Sequence, residues 1–210
     1  IGALLGQKNL DIKVTSNKKD FFQGLDVVIE FGLSGATKEF LLEAKKHKVA
    51  YVSGSTGLNK NIIDLMKKIS AHIPVFWSPN MSIGANLLME ISSQVSNQIG
   101  HEFDINIIDL HHKHKKDRPS GTALSIKNNI NQILSKNKTK RKANVLAMRA
   151  GDSTGEHTVI FSGHGETLEF KHVSSTREIF SRGAVKVAEW LYKKPNGFYQ
   201  MNDYLASKGK

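Results

Sequence analysis

The chain has 210 residues with 39% hydrophobic and 23% charged side chains, 17 glycines, 4 prolines and no cysteine. This composition is typical of a globular protein, and it excludes a disulfide framework, thiolate catalysis, Cys-ligated zinc and a disordered or coiled-coil chain. Thirty basic against 19 acidic residues give a net charge of +11, which favours anionic partners such as nucleic acid, acidic lipid or small phosphorylated or carboxylated molecules.

The first third of the chain alternates short apolar runs with helical patterns. Strands are predicted over Leu25–Phe31, Val49–Val52 and Ile73–Trp77, and helices over Thr37–His47 and Asn61–Ile69. Strands that alternate with helices in this way predict a parallel sheet with right-handed crossovers.

Small polar segments follow the second and third predicted strands, at Gly54–Gly57 and Ser78–Ser82. Ligands of parallel sheets gather beyond the carboxyl ends of the strands. The two segments together predict a ligand crevice, although either one alone is also what a plain strand-to-helix turn requires. The chain opens at Ile1 rather than at a methionine, which we interpret as a missing beginning.

The rest of the chain predicts a second domain with a mixed sheet, beginning near Ile83. A hairpin is expected around Gly163-His164-Gly165, and residues 135–142 are expected to form a polar, basic loop. The predicted elements are helices over 83–98, 122–134 and 177–192, strands over 103–110, 158–162 and 167–173, and a short tail over 197–205.

The segment Asp109–Thr122 holds three histidines (His111, His112, His114) among three lysines (Lys113, Lys115, Lys116), directly after a predicted strand. A metal site is disfavoured because adjacent histidines on extended backbone point to opposite faces. A nucleic-acid loop is disfavoured because interleaved aromatic residues and a recognition helix are missing from the pattern. The remaining hypothesis is an acid–base site for an anionic substrate.

The end of this segment supports the acid–base hypothesis. Ser120 or Thr122 can cap the helix that follows, and Gly121 lets a ligand approach the backbone N–H groups of the helix start, which bind a carboxylate well. Lys115 supplies positive charge, and a histidine can exchange a proton near neutral pH. The pattern therefore predicts a small carboxylated substrate, a cationic clamp and a proton donor.

Two other polar segments are less informative. Arg149–His157 is either a mobile loop over the site or a solvent-exposed hairpin, and the sequence favours the hairpin. Ser181–Ala184 opens or lies within the last long helix. Its Arg182 is expected to form a surface salt bridge rather than to bind an anion.

The segment that begins at Asp109 resembles the signature of the 4-hydroxy-tetrahydrodipicolinate reductase (dihydrodipicolinate reductase) family, Glu-x-His-His-x-x-Lys-x-Asp-x-Pro-Ser-Gly-Thr-Ala. Four shorter segments are similar to further motifs of the family and follow one another in the family's order. They are Gly54–Gly57, Ser78–Ser82, Gly155–His157 and Ser181–Ala184.

The resemblance implies a cytoplasmic enzyme of lysine and diaminopimelate synthesis that transfers a hydride from NADPH or NADH to a cyclic dicarboxylate. It implies a Rossmann-type nucleotide-binding domain over 1–82, rejoined by 192–210, and a mixed α/β domain over 83–191 that binds the substrate and builds a homotetramer. It implies no metal, nucleic acid or membrane partner. The implied catalytic residues are His111 and Lys115, the substrate-binding residues His112, Lys115, Ser120, Gly121 and Thr122, and the cofactor-binding residues Gly54, Ser55, Thr56, Ser78, Pro79, Asn80 and Met81.

The sequence departs from the family pattern in three places. The Gly-rich turn that opens the family's first domain is not found, Asp109 replaces a glutamate, and Arg118 replaces a small residue. Two alternatives therefore stay open, namely a non-catalytic relative without its cofactor loop and a basic nucleic-acid-binding protein.

Overall fold

The computed structural model describes residues 6, 8, 12 and 14–208, which fold as two units. The first unit holds the described residues up to Pro79 together with Val187–Tyr199, and the second holds Asn80–Lys186 with the described residues from Gln200 onward. Ile1, where we interpreted the beginning as missing, lies outside the described residues. Among the residues that are described, none of the helices has both the length and the apolar character needed to cross a bilayer.

The first unit is built on a four-stranded parallel sheet in the order β1-β2-β3-β8. Its elements are α1 (Lys18–Phe22), β1 (Val27–Glu30), α2 (Ser34–His47), β2 (Ala50–Ser53), α3 (Lys60–Ile69), β3 (Pro74–Trp77) and β8 (Gly197–Tyr199). Helices and strands share one apolar core, in which Leu41, Tyr51 and Met66 are fully buried. Burial of such side chains contributes roughly 1.5–3 kcal/mol each to the stability of the fold. The observed strand order and directions confirm the predicted parallel sheet.

The second unit has a four-stranded mixed sheet in the order β5-β4-β6-β7, with β5 parallel to β4 and the other neighbours antiparallel. Its elements are α4 (Ile83–Ile99), β4 (Asp104–His111), α5 (Gly121–Lys136), β5 (Asn144–Arg149), β6 (Gly155–Ser162), β7 (Thr167–Ser174) and α7 (Met201–Ala206). Helix α6 (Glu178–Leu191) begins in the second unit and ends in the first. The predicted mixed-sheet α/β domain is confirmed.

One face of the mixed sheet packs against α4 and α5. Alternate residues of β4 and β6 point to these helices, so that Ile105, Ile107, Val159 and Phe161 form the core with Ile126. The alternation continues past the apolar positions to the end of β4. As a result, the last inward-facing residues of that strand are charged or titratable instead of apolar.

The structure corrects the expected course of the tail. Residues 192–210 were expected to rejoin the first domain as a whole, but only the part up to Tyr199 lies in the first unit, where β8 pairs with β3. From Gln200 on, the described residues belong to the second unit and form α7, which packs against α4. The physical reason is that α7 carries two large side chains, Met201 and Tyr204, and both are buried.

Candidate active site

Asp109 lies at the centre of a buried polar cluster at the end of β4. Its side chain is fully buried, and its Oδ2 accepts hydrogen bonds from the Ser120 N–H at 2.9 Å and from Arg149 Nη2 at 3.1 Å. Its Oδ1 lies 3.0 Å from His111 Nδ1 and 3.4 Å from His157 Nε2. Burial by itself raises the pKa of Asp109, but the hydrogen bonds from His157, Ser120 and Arg149 outweigh it and hold this pKa well below its usual range.

Arg149, the last residue of β5, joins three parts of the chain. In addition to Asp109 Oδ2, its guanidinium donates to the Asp109 carbonyl at 3.2 Å and to the Asp117 carbonyl at 2.5 Å. The parallel register places Arg149 beside His111. Arg149 therefore neutralises the buried carboxylate and ties the loop after β4 to the sheet.

His111 is the last residue of β4, and its ring lies between Asp109 and β6. A Cβ atom built at Gly155 would lie 2.9 Å from His111 Nε2, so only a glycine lets the ring take this position. Burial lowers the pKa of His111 to about 4, since the charges of His157, Lys115 and Arg149 add to burial and together outweigh the opposing effect of Asp109. His111 is therefore neutral at pH 7.

Of the two expected caps, Ser120 and Thr122, Ser120 is the residue that caps α5. Its Oγ accepts from the Ala123 N–H at 3.2 Å and lies 3.1 Å from His157 Nε2. Thr122, in the first turn of the helix, accepts a hydrogen bond from Asn80 Nδ2 at 3.0 Å. The start of α5 is thus held in place from β4, from β6 and from the residues before α4.

The loop between β4 and α5 carries the remaining predicted substrate residues. His112 is partly buried, and its N–H donates to the Ser153 carbonyl at 2.8 Å. Lys115 Nζ lies 2.7 Å from Asp117 Oδ1, and its charge reaches His111. The structure therefore brings His111, Lys115 and Ser120 into one region of the second unit.

The segment Arg149–His157 is not a simple solvent hairpin. It ends β5, turns at Gly151 and starts β6, and both of its terminal side chains point into the cluster. Its turn also receives backbone hydrogen bonds from residues 112 and 113. The expectation of a solvent hairpin was wrong because β6 begins at Gly155, three residues earlier than predicted.

In the first unit, the predicted cofactor residues follow β2 and β3. Ser55 is buried, with its Oγ 2.7 Å from Glu30 Oε1 and 2.8 Å from the Gly32 carbonyl. Glu30 also accepts from the hydroxyls of Tyr51, Ser53 and Thr37. The Ser55 hydroxyl therefore holds the loop after β2 in place, whereas Thr56 is exposed.

Gly54 has a steric role in the same loop. A Cβ atom at Gly54 would lie 2.2 Å from the Phe31 ring, which is 52% exposed. Ser78 and Pro79 follow β3, and the Ser78 N–H donates to the Ser53 carbonyl at 3.1 Å. Gly54 and Ser78 are themselves buried, and the exposed surface at the carboxyl ends of these strands includes Phe31, Thr56 and Pro79.

In the second unit, the other two predicted cofactor residues, Asn80 and Met81, belong to a closely packed turn. Asn80 Oδ1 accepts from the Ser82 N–H at 2.8 Å, and the Asn80 carbonyl accepts from Asn86 Nδ2 at 2.8 Å. Gly183 of α6 packs so closely that a Cβ atom there would lie 1.9 Å from the Met81 carbonyl oxygen. Its neighbour Arg182 forms an exposed ion pair with Glu178 at 3.2 Å, the kind of contact expected of it.

Asp109, His111 and His157 each offer a possible metal-ligand atom within 4.8 Å of the other two. These residues do not fit a metal ion, because the carboxylate is already neutralised by Arg149 and a further cation would be repelled by the guanidinium. The expectation of no metal stays a prediction.

Comparison with known proteins agrees with both halves of this arrangement. The family models described as dihydrodipicolinate reductase, N-terminus and C-terminus, match residues 1–81 and 84–205. The chain belongs to the dihydrodipicolinate reductase family. The 4-hydroxy-tetrahydrodipicolinate reductase of Syntrophobacter fumaroxidans is 35% identical over 99% of this chain and 84% of its own length. That of Sulfurimonas denitrificans is 38% identical over 92% of this chain and 82% of its own length.

A solved structure supports the fold assignment. The dipicolinate-bound dihydrodipicolinate reductase of Paenisporosarcina sp. TG-14 superimposes with a TM-score of 0.79 at 21% identity, covering 91% of this chain and 78% of the other. This likeness confirms the architecture of a Rossmann-type unit with a second α/β unit.

Three residues of the polar cluster were not among the site residues predicted from the sequence, namely Asp109, Arg149 and His157. Asp109 was noted only as a replacement for glutamate. One signal was present, because Asp109 and His111 are two residues apart and so share one face of a strand. Arg149 and His157 lie 40 and 48 positions further along the chain, and only the register of β5 and β6 against β4 brings them to Asp109.

Proposed function

We propose that this protein catalyses the NAD(P)H-dependent reduction of 4-hydroxy-tetrahydrodipicolinate in lysine and diaminopimelate synthesis. The ring gains a hydride and a proton and loses its hydroxyl group as water, which yields tetrahydrodipicolinate and the oxidised nucleotide. Family membership across both halves of the chain carries this conclusion. Since the chain has no cysteine, it suits the reducing cytoplasm, where we place the reaction.

The start of α5 is the proposed binding place for a substrate carboxylate. A helix start offers unpaired N–H groups and a positive dipole end, and Gly121 is exposed with open space where a Cβ atom would lie. Ser120 and Thr122 flank this glycine, and His112 and Lys115 add donors and charge from the preceding loop. The Paenisporosarcina relative was solved with dipicolinate, a ring that bears two carboxylates.

His111 and Lys115 are the proposed proton-exchanging groups. His111 is neutral in the free protein, and a bound dianion would favour its protonated form by Coulomb attraction. Lys115 is paired with Asp117, and a substrate carboxylate would compete for its ammonium group. Binding of the substrate would therefore bring a protonated donor to the ring.

A bound pyridine nucleotide supplies the hydride. In the first unit we assign the nucleotide contacts to Gly54, Ser55, Thr56, Ser78 and Pro79, and in the second unit to Asn80 and Met81. The carboxyl ends of parallel strands are the usual position of such ligands, and the half-exposed Phe31 ring beside Gly54 offers a flat apolar surface. Both NADPH and NADH are candidates, so both are used in the test below.

The second unit also supports the proposed homotetramer. The sheet face opposite α4 and α5 carries exposed apolar side chains, including Leu146 at 58%, Met148 at 52% and Val173 at 50%. The register places Leu146 beside Ile108 and Met148 beside Leu110, so these four residues of β4 and β5 form a continuous apolar surface. Exposed patches of this kind mark interfaces, and we propose that copies of the chain associate through this face.

The test measures turnover of the cyclic substrate with NADPH and with NADH. The readout is the loss of absorbance at the band of the reduced nicotinamide. His111→Ala and Lys115→Ala should each lower kcat by about 10²–10⁴-fold, the range for loss of a general acid or base. The matched controls are His114→Ala and Lys113→Ala, which remove exposed side chains from the same loop. Wild-type protein that oxidises neither nucleotide would favour the non-catalytic alternative, and near wild-type rates in the first two variants would refute their assigned roles.

A further inference from the structure

We propose that Arg149, Asp109 and His157 are positioning residues of the reductase, and that Asp109 fixes the orientation and charge state of His111. This inference rests on the proposed function, because it takes His111 as a group that exchanges a proton with the substrate. It assigns a role to a buried cluster whose three members do not belong to the predicted site.

The two oxygens of Asp109 face different partners. Oδ2 receives hydrogen bonds from the Arg149 guanidinium and the Ser120 N–H, whereas Oδ1 lies 3.0 Å from His111 Nδ1. The contact between Oδ1 and Nδ1 does not have the geometry of a hydrogen bond, so Asp109 acts on the His111 ring by Coulomb attraction, which favours the charged imidazole. The other ring nitrogen, Nε2, lies beside Gly155, whose missing side chain makes room for it.

His157 links the same carboxylate to the helix start. Its Nε2 lies 3.4 Å from Asp109 Oδ1 and 3.1 Å from Ser120 Oγ. Asp109 pairs directly with His157 in the antiparallel register of β4 and β6. The proposed proton-exchanging histidine and the proposed carboxylate-binding helix start are therefore held by one rigid sheet.

Charged and titratable groups surround His111 on every element that packs against it. Asp109 lies on its own strand, Lys115 on the following loop, Arg149 on β5 and His157 on β6, and Asp109 alone among these four favours the charged imidazole. Removal of Asp109 or of Arg149 should therefore shift the titration of His111 in opposite directions. These shifts show whether the two side chains act on His111, and the pH profile of kcat shows whether that effect reaches the reaction.

Arg149 has a second function that depends on the shape of its side chain. It reaches Asp109 Oδ2 at 3.1 Å and the Asp117 carbonyl at 2.5 Å with one planar guanidinium. A lysine supplies the same charge from a single ammonium and cannot reproduce this fork. Arg149→Lys should therefore keep the charge near His111 but release the loop that bears Lys115.

The first experiment is an NMR titration of the histidine ring nitrogens in the full chain without nucleotide. In Asp109→Asn the midpoint of His111 should fall, and in Arg149→Met it should rise towards the ordinary value of about 6.5. The control is Arg141→Met, which removes an arginine paired with Asp104 at the opposite end of β4. Unchanged midpoints in both variants, or shifts in the same direction, would overturn the proposal.

The second experiment measures the pH profile of kcat for the same variants and for Arg149→Lys. In Asp109→Asn and Arg149→Met, the acidic limb of the kcat profile should shift in the same direction as the NMR midpoint of His111. Arg149→Lys should keep the wild-type profile, with a kcat at least about tenfold lower. If Arg149→Met fails to fold by circular dichroism, Arg149→Lys and Asp109→Asn decide the question by the same two measurements.

The two experiments separate the inference from the proposed function. Wild-type protein without reductase activity would remove the proposed function, and in that case the NMR midpoints still decide whether Asp109 and Arg149 control His111. An active wild-type enzyme whose variants keep the wild-type midpoint and pH profile would overturn the positioning roles alone.

Discussion

A single buried carboxylate, Asp109, organises the polar cluster of the second unit. Taking such a charge out of water costs several kcal/mol unless a partner charge and hydrogen bonds compensate for it. Here Arg149 provides the charge, while Ser120 provides a backbone donor. The same arrangement keeps His111 buried and neutral, so one set of contacts both offsets the cost of burial and prepares a titratable ring.

The first prediction at this scale concerns stability and pH. The folded pKa of His111 is about 4 and the unfolded value is about 6.5, so between these values the unfolded chain binds a proton that the folded chain does not. Stability should therefore fall as the pH falls from 7.5 to 5, with His111 accounting for about 2 kcal/mol of the loss. Urea unfolding of wild type and His111→Gln, at one fixed chain concentration, measures this as a smaller loss in the variant.

His114→Gln is the control for that measurement, because it removes an exposed ring from the same loop. It should lose stability with falling pH as the wild type does. An equal loss in wild type and His111→Gln would contradict the assignment of a buried, neutral His111.

At the scale of elements, strand β4 shows how a core becomes a site. The same two-residue alternation that buries Ile105 and Ile107 under the helices also buries Asp109 and His111. An apolar residue at position 109 would continue the core. The charged residue instead requires partners from β5 and β6, which the sheet supplies at the matching positions.

Two helical glycines with opposite surroundings give a prediction for α6. Alanine normally stabilises a helix over glycine, by roughly 0.5–1 kcal/mol in the helix interior, and Gly35, the second residue of α2, has open space where a Cβ atom would lie. At Gly183 the Cβ atom would lie 1.9 Å from the Met81 carbonyl oxygen, which belongs to the backbone and cannot rotate away. Gly183→Ala should therefore destabilise by about 1–3 kcal/mol, whereas Gly35→Ala should stabilise.

Denaturant unfolding of both variants measures the two signs directly. Stabilisation by Gly183→Ala would show that α6 does not need this close approach to Met81. The Ser181–Ala184 motif would then need an explanation other than packing.

At the scale of the whole molecule, the open face of the mixed sheet is the feature that a single chain leaves uncovered. Leu146→Lys places a charge at the exposed apolar surface beside Ile108. If copies associate there, the variant should change from a mass of about four chains to that of one or two chains in light scattering coupled to size exclusion. The desolvation of a charge in an apolar interface is the physical reason.

Leu42→Lys is the matched control, because Leu42 is 44% exposed on α2 in the first unit. It should keep the wild-type mass. Unchanged mass in Leu146→Lys, together with intact secondary structure, would exclude this face as the interface.

The sequence alone was sufficient to predict the parallel sheet, the mixed-sheet second unit and the family, because periodicity and an ordered set of motifs are local properties of the chain. For the start of α5 it left two candidate caps, Ser120 and Thr122, and the structure shows that Ser120 is the cap. The sequence did not predict β8 or α7, which have only three and six residues and are too short to show a period.

Only the tertiary structure decided which polar residues act together. Asp109, Arg149 and His157 meet because β5 lies parallel to β4 on one side and β6 antiparallel on the other. Strand order and register depend on the packing of the whole sheet against α4 and α5, and a linear pattern contains no record of them. The charge state of His111 follows from the same packing, since burial and neighbouring charges exist only once the strands are in place.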